Sequence, residues 1–234
     1  MPIEDIQKRL KALANPKYAA VSQRFFKTGP GQYGEGDIFI GVRVPVLRKL
    51  VAEYFQRPLP EITRLLKSSI HEERMLALLL MVRKFASGDA AMKKNIYHAY
   101  LKNTAFVNNW DLVDCSAEHV IGAYLRKKSR APLRRLARSN DLWERRIAIL
   151  STFHYTKHND FAETLTISKT LLTDQEDLIH KAVGWMLREI GKRHLKTEKA
   201  FLKAHYQTMP RTMLRYAIEK FPEPERQRYL KGRI

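Results

Sequence analysis

The chain has 234 residues, enough for one large domain or two small ones with a buried core. Its 43 Lys and Arg outnumber its 24 Asp and Glu, which gives a formal net charge of +19 and is typical of a protein that binds a polyanion such as nucleic acid. A hydrophobic share of 44% excludes a disordered basic tail, and the single Cys115 excludes an intramolecular disulfide and a cysteine zinc site. No apolar run is long enough to span a bilayer, and the first residues lack a signal-peptide core, so we expect a soluble, cytoplasmic, bacterial-type protein.

The first distinctive segment is glycine-rich. Residues 28–45 hold five of the ten glycines and then a short β-branched and aromatic run. This composition predicts either a small hairpin or a long surface loop. Pro45 stands where the next helix, over 46–54, can begin.

The rest of the chain has a helical pattern. Apolar residues recur at spacings of three and four, which predicts helices over 71–85, 110–127, 141–157, 177–193 and 211–221. The segment from Asp141-Leu142 aligns with the one from Asp177-Leu178, and the helix at 110 precedes both. Helical segments that resemble each other at intervals of roughly 30–45 residues favour an α-solenoid of HEAT-like repeats, with a plain helical bundle as the alternative. Because no linker or composition shift interrupts the chain, we expect one domain over 1–234.

Two of these helices carry a charge on an apolar stripe. Asp114 follows Trp110 by one turn on a stripe that is otherwise apolar, so it is either a structural ion-pair partner or a site residue. Asp111, near the helix start, complements the helix dipole. Arg146 interrupts the next stripe and requires an anion, either a carboxylate such as Asp114 or a phosphate. Arg145 points elsewhere and is expected to be solvated.

The third helix places basic residues around a tryptophan. Lys181, Trp185, Arg188 and Lys192 share one face beside the apolar stripe. Interleaved aromatic and cationic groups suit a nucleic-acid backbone or an unstacked base, whereas a Trp at the edge of the core with snorkelling neighbours is the alternative. Other basic residues that we assign to the same binding surface are Arg43, Arg145, Arg193, Arg211 and Arg215.

Several chemical motifs are missing from the sequence. It has no P-loop, no dinucleotide fingerprint and no HExxH, and its histidines do not form a metal-ligand spacing with carboxylates. We therefore expect a mechanism with no cofactor and no metal.

Three motifs in order resemble the AlkD family of DNA alkylation-repair glycosylases, over nearly the whole chain. They are WDLVD at 110–114, LWERRIAIL at 142–150 and KAVGWMLRE at 181–189. The resemblance implies an all-α, C-shaped stack of HEAT-like repeats with a basic concave groove for duplex DNA. It also implies that the protein removes N3-alkyladenine and N7-alkylguanine by hydrolysing the N-glycosidic bond, without drawing the base into a pocket. Separately, we expect a monomer.

The resemblance also assigns roles to residues. Asp114 matches the catalytic carboxylate, Trp110 and Trp185 match the tryptophans that flank the lesion, Arg146 matches the groove arginine, and Arg188 contacts DNA. The glycine-rich segment over 28–45 is longer than in the simplest family members, which keeps a second interpretation open. In that alternative the chain is a non-catalytic HEAT-like protein that binds branched or distorted DNA.

Overall fold

The computed structural model describes residues 3–234, and its regular structure in that range is helical. Within the same residues the only β-type pairing outside helices is an isolated parallel bridge between Ile38 and Ile70. None of the helices in this part of the chain is both long and apolar enough to cross a membrane. The contacts divide the chain into two compact units, Met1–Val120 and Ile121–Ile234. The single domain over 1–234 stays a prediction.

Unit 1 is built around one long buried helix. Its helices are α1 (Glu4–Ala12), α2 (Pro16–Phe25), α3 (Val44–Tyr54), α4 (Leu59–Leu66), α5 (His71–Ser87), α6 (Ala90–Lys102) and α7 (Trp110–Asp114). Helix α5 confirms the prediction over 71–85, and its first eight residues are all buried. It packs against α3 and α4, whose apolar faces carry the fully buried Leu47 and Leu65.

Unit 2 repeats this arrangement around α13. Its helices are α8 (Ala123–Leu125), α9 (Ala131–Leu136), α10 (Leu142–Ser151), α11 (Phe153–Thr156), α12 (Ala162–Thr170), α13 (Asp177–Gly191), α14 (Leu195–His205), α15 (Arg211–Ala217) and α16 (Glu223–Leu230). Helix α13 packs against α10, α14 and α15. At Gly184 a side chain would collide with the backbone carbonyl of Met213, so glycine allows α13 and α15 to approach closely. The all-α prediction is confirmed.

Three predicted helices are shorter or more interrupted than the periodicity indicated. The helix over 141–157 divides into α10 and α11 at Thr152, and α15 ends in a 3₁₀ turn. The helix over 110–127 contains a π-helical turn, Glu118–Gly122. Because a π turn adds a residue per turn, the stripe from Trp110 and Asp114 to Ala117, Ile121 and Leu125 is not straight.

The glycine-rich segment is a long loop, and the hairpin alternative is wrong. Gly31, Gly36 and Gly41 have positive φ, so the chain turns repeatedly before two strands can pair. The loop is held at its end by the buried carboxylate of Glu72, which accepts the backbone N–H groups of Ile40, Gly41 and Val42 at 2.7–3.2 Å. After the loop, Pro45 lies in the first turn of α3, as predicted.

Candidate functional site

Helix α7 holds two of the predicted site residues in unit 1. Trp110 and Asp114 are both half-buried and lie one turn apart on this short helix. Leu112 and Val113 are fully buried on its other side and anchor it to the core. The side chain of Asn109 caps the helix by accepting the Trp110 backbone N–H at 2.8 Å. The sequence pattern therefore fixes which face of α7 remains accessible.

A column of aromatic rings supports Trp110. Its indole stacks on Phe26 with ring centroids 5.2 Å apart, Phe26 stacks on Phe39 at 4.9 Å, and Phe39 stacks on His71 at 4.3 Å. Phe25 meets the indole edge-on at 6.0 Å. The three phenylalanines come from the end of α2 and from the glycine-rich loop, and sequence reasoning did not connect any of them with Trp110.

A buried polar network lies at the base of this column. The two ring nitrogens of His71 lie 3.0 Å from Asp37 Oδ2 and 2.9 Å from Asp111 Oδ2. Asp37 also accepts from Asn109 Nδ2 at 3.0 Å and from the guanidinium of Arg74. Asp111 was predicted to complement the helix start, and its other oxygen does accept the Leu112 backbone N–H at 2.9 Å. Its contact with His71 was missed.

The ionisation of this network follows from its hydrogen bonds. Burial alone would lower the pKa of His71, but the hydrogen bonds to Asp111 and Asp37 outweigh it and raise the pKa above 6.5. Burial would raise the pKa of Asp37, but the bond to His71 and the charge of Arg74 bring that pKa below its ordinary value. Desolvation raises the pKa of the neighbouring thiol, Cys115, which stays protonated and donates to the Leu112 carbonyl at 3.4 Å.

In unit 2, Arg146 lies within the apolar face of α10, as its sequence position predicted. Its side chain is 5% exposed and lies among the buried Ile147, Ile149 and Leu150. One guanidinium nitrogen donates to the backbone carbonyl of Leu178 at 2.6 Å. Part of the anion-binding capacity of this arginine is thus used to join α10 to the start of α13.

Arg145 lies in a different environment from the one that the sequence predicted. Its guanidinium donates to both carboxylate oxygens of Asp174 at 2.6 and 3.3 Å, and to the carbonyls of Ser139 and Asn140 at 3.0 and 2.9 Å. Both partners of the ion pair are shielded from solvent, with side-chain exposures of 15% and 5%. The expectation of a solvated side chain is wrong, because this arginine closes the loop before α13 onto α10.

Trp185 belongs to a second aromatic and basic cluster. Its indole N–H donates to Glu189 Oε1 at 3.3 Å, and its ring lies 5.8 Å from that of Phe153. Glu189 also accepts from Lys192 at 2.5 Å and from Arg193 at 3.0 Å. Burial would raise the pKa of Glu189, but these two cations lower it. Glu189 therefore gathers three residues that the sequence singled out separately, although it was not itself a candidate.

The remaining candidate cations lie at exposed or half-buried positions, and several have carboxylate partners. Lys181 pairs with Asp177 at 2.7 Å, and Arg188 pairs with Glu219 of the 3₁₀ turn after α15. The others lie on the surface of their own unit: Arg211 donates to the Leu230 carbonyl at 2.9 Å, Arg215 is exposed, and Arg43 lies 5.1 Å from the centre of the Tyr18 ring.

Over residues 3–234, no three His, Cys, Asp or Glu side chains gather in a way that could hold a metal ion. Asp37, His71 and Asp111 are instead satisfied by one another and by Arg74 and Asn109.

Comparison with known proteins gives one family and several similar structures. The model of the family described as DNA alkylation repair enzyme matches residues 6–221. A predicted DNA alkylation repair enzyme from Enterococcus faecalis shares 16% identity with a TM-score of 0.68, over 90% of this chain and 97% of that one. AlkD2 from Streptococcus mutans shares 18% identity with a TM-score of 0.54, over 88% and 98%.

No curated protein sequence gives a significant match. The structural likenesses are at low identity and support the helical-repeat fold. The family match extends over most of the chain, including the three motifs that resemble AlkD. The chain therefore belongs to the family of DNA alkylation repair enzymes.

Proposed function

We propose that the protein is a DNA glycosylase that excises N3-alkyladenine and N7-alkylguanine from duplex DNA. The observation that carries this proposal is the pair of half-buried residues on α7, Trp110 and Asp114, in a chain of net charge +19 from a DNA alkylation repair family. A carboxylate beside an aromatic ring suits a cationic sugar at the moment of bond cleavage.

The chemistry requires little from the protein besides this carboxylate. A purine alkylated at N3 or N7 is already cationic and leaves as a neutral base when the N-glycosidic bond breaks. The electron pair of that bond goes to the base, and positive charge develops on the sugar. Asp114 stabilises this oxocarbenium-like sugar and orients the water that adds to C1′. After the water has added to C1′ it loses a proton to the surrounding solvent, and the products are the free base and an abasic sugar.

The aromatic and basic residues hold the DNA in this proposal. The resemblance implies that Trp110 and Trp185 each contact the sugar and phosphate of the lesion, where their ring faces favour the adjacent positive charge. Arg146 contacts the backbone in the groove that the resemblance implies. The phosphates are further neutralised by the exposed Lys192 and by Lys181 and Arg188, which lie at half-buried positions.

The test is release of free base from duplexes that contain N7-methylguanine or N3-methyladenine. We expect Asp114→Asn to abolish release while the dissociation constant for DNA stays within about twofold, because the substitution removes the charge and keeps the shape. The matched control is Asp89→Asn, which makes the same change at the N-cap of α6, where Asn caps equally well. Unchanged release by Asp114→Asn would remove this residue from catalysis.

The second candidate is non-catalytic binding of branched or distorted DNA. It is favoured by helix α2, in which no residue is buried and Tyr18, Val21 and Phe25 are 45%, 53% and 63% exposed. With Arg43 against the Tyr18 ring, this face suits unstacked bases. Tight binding of a four-way junction, with no base release by the wild type, would support this candidate and contradict the first.

A further inference from the structure

We propose that Asp37, His71 and Asp111 form a proton-dependent bridge that positions Trp110 for contact with DNA. The consequence for base release rests on the proposed function, whereas the bridge and its effect on Trp110 do not. The three residues come from the glycine-rich loop, the first turn of α5 and α7, so the bridge ties three elements of unit 1 together. No part of it touches the reacting atoms, and His71 is a positioning residue.

The geometry requires a proton on both nitrogens of His71. The ring is 2% exposed, and each nitrogen faces a carboxylate oxygen at hydrogen-bond distance, 3.0 Å to Asp37 and 2.9 Å to Asp111. A neutral imidazole has one N–H and would present a lone pair to the second carboxylate. An imidazolium donates a hydrogen bond to each of the two carboxylates. Together with Arg74, on the far side of Asp37, it balances their negative charges.

The other charged groups around the ring are already satisfied. Glu72 accepts three backbone N–H groups of the loop, and Glu73 accepts from Gln7 Nε2 at 2.8 Å. The Cys115 thiol next to Asp111 stays protonated because burial raises its pKa. Phe26 and Phe39, which cover the ring, carry no charge. The proton on His71 is therefore the one variable charge in this cluster near neutral pH.

Two routes connect the bridge to Trp110. The first is the backbone of α7, because the residues on either side of Trp110 both bind the bridge. Asn109 donates to Asp37 at 3.0 Å, and Asp111 meets His71. The second is the ring column, in which Trp110, Phe26, Phe39 and His71 stack in turn. Loss of the proton leaves two carboxylates facing one neutral ring and weakens both routes together.

The direct test measures the protonation of His71 and the fluorescence of Trp110 in the 234-residue chain. Trp143→Phe and Trp185→Phe leave Trp110 as the only one of the three tryptophans. We expect NMR of the His71 ring to show two protonated nitrogens at pH 6, with a titration midpoint above 6.5. We expect Trp110 emission to change with the same midpoint. His71→Gln should abolish that change, and the control His98→Gln, at an exposed position of α6, should preserve it.

Base release gives the second readout. Single-turnover release from a duplex with N7-methylguanine should fall by about tenfold to a hundredfold as pH rises through the His71 midpoint. The dissociation constant for the same duplex should stay within about twofold of its value at pH 6. In His71→Gln the rate should be low at every pH. We expect neither His71→Asn nor His71→Gln to restore the wild-type pH profile. An amide has a single nitrogen, so it cannot donate hydrogen bonds to two carboxylates on opposite sides, as an imidazolium does.

The outcomes separate this inference from the proposed function. A neutral His71 at pH 6, or a Trp110 signal that does not follow it, overturns the bridge even if base release is normal. A Trp110 signal that follows His71 in a protein that releases no base supports the bridge and contradicts the glycosylase. If His71→Gln does not fold, the wild-type titration decides, and Phe39→Leu, which interrupts the ring column alone, should reduce the Trp110 response.

Discussion

The carboxyl group of Glu198 allows a pH dependence of stability to be worked out from the structure. Glu198 lies on α14, is 1% exposed, and packs against Gly191, where no side chain occupies the space. Among the described residues, its Oε1 has no hydrogen-bond partner. Burial raises its pKa to about 8, although Arg188 and Lys199 act in the opposite direction. The folded protein therefore favours the neutral acid.

The sign of the effect follows from the comparison with the unfolded chain. The folded-state pKa of Glu198 is raised, so its contribution to stability is complete below the ordinary value of 4.5 and is lost as pH rises to about 8. A tenfold change in proton affinity is worth ~1.4 kcal/mol, so the whole change amounts to about 5 kcal/mol. About 3 kcal/mol of this falls between pH 5 and pH 8.

The experiment is urea denaturation of the wild type and Glu198→Gln at several pH values between 5 and 8. Because Gln is neutral throughout, the variant should lack this loss of stability and gain about 3 kcal/mol on the wild type over the range. The slope of unfolding free energy against urea should be the same in both proteins. Glu176→Gln, at an exposed carboxylate before α13, should follow the wild type. Parallel stability curves for the wild type and Glu198→Gln would refute the reasoning.

Four further substitutions test the assignments in unit 2 and the loop. Arg145→Ala should cost about 3 kcal/mol of unfolding free energy, because it leaves a buried carboxylate unpaired, and should leave the salt dependence of DNA binding unchanged. Glu189→Gln should shift Trp185 emission and slow base release with little loss of DNA affinity, since it frees the indole and two cations. Lys192→Ala and Arg43→Ala should each lower the slope of log affinity against log salt by about 1, as measured by fluorescence anisotropy.

The parts of the site that the sequence predicted are those with a local signal. Asp114, Arg146 and Trp185 break or border an apolar stripe on their own helices, and the structure places them at half-buried, buried and half-buried positions. Such anomalies are visible within one or two turns. The α5 and α13 helices were predictable for the same reason, because their apolar periodicity is long and regular.

The network around His71 was missed because it depends on contacts between distant segments. His71 meets Asp37 and Asp111, which lie 34 and 40 residues away, and no periodicity links them. Glu189 was missed for a different reason, since its partners lie within four residues of it and its spacing from Trp185 is a local signal that was not used. The run from His71 to Arg74 opens a helix with four polar residues that are all buried in the structure. Buried polar residues require partners, but the burial of this run is visible only in the structure, so the sequence did not indicate the network.

The candidate cations differ in the ion pair that a phosphate must break in order to bind them. Glu219, the partner of Arg188, is 46% exposed, so the pair is worth at most about 1 kcal/mol and a phosphate can replace the carboxylate at small cost. Asp174, the partner of Arg145, is 5% exposed, and separating that pair would leave a buried charge. We therefore expect Arg188 to exchange its partner for a phosphate more readily than Arg145 does. Net charge and spacing treat the two arginines alike, and only the burial of their carboxylate partners predicts binding for one and a role in the fold for the other.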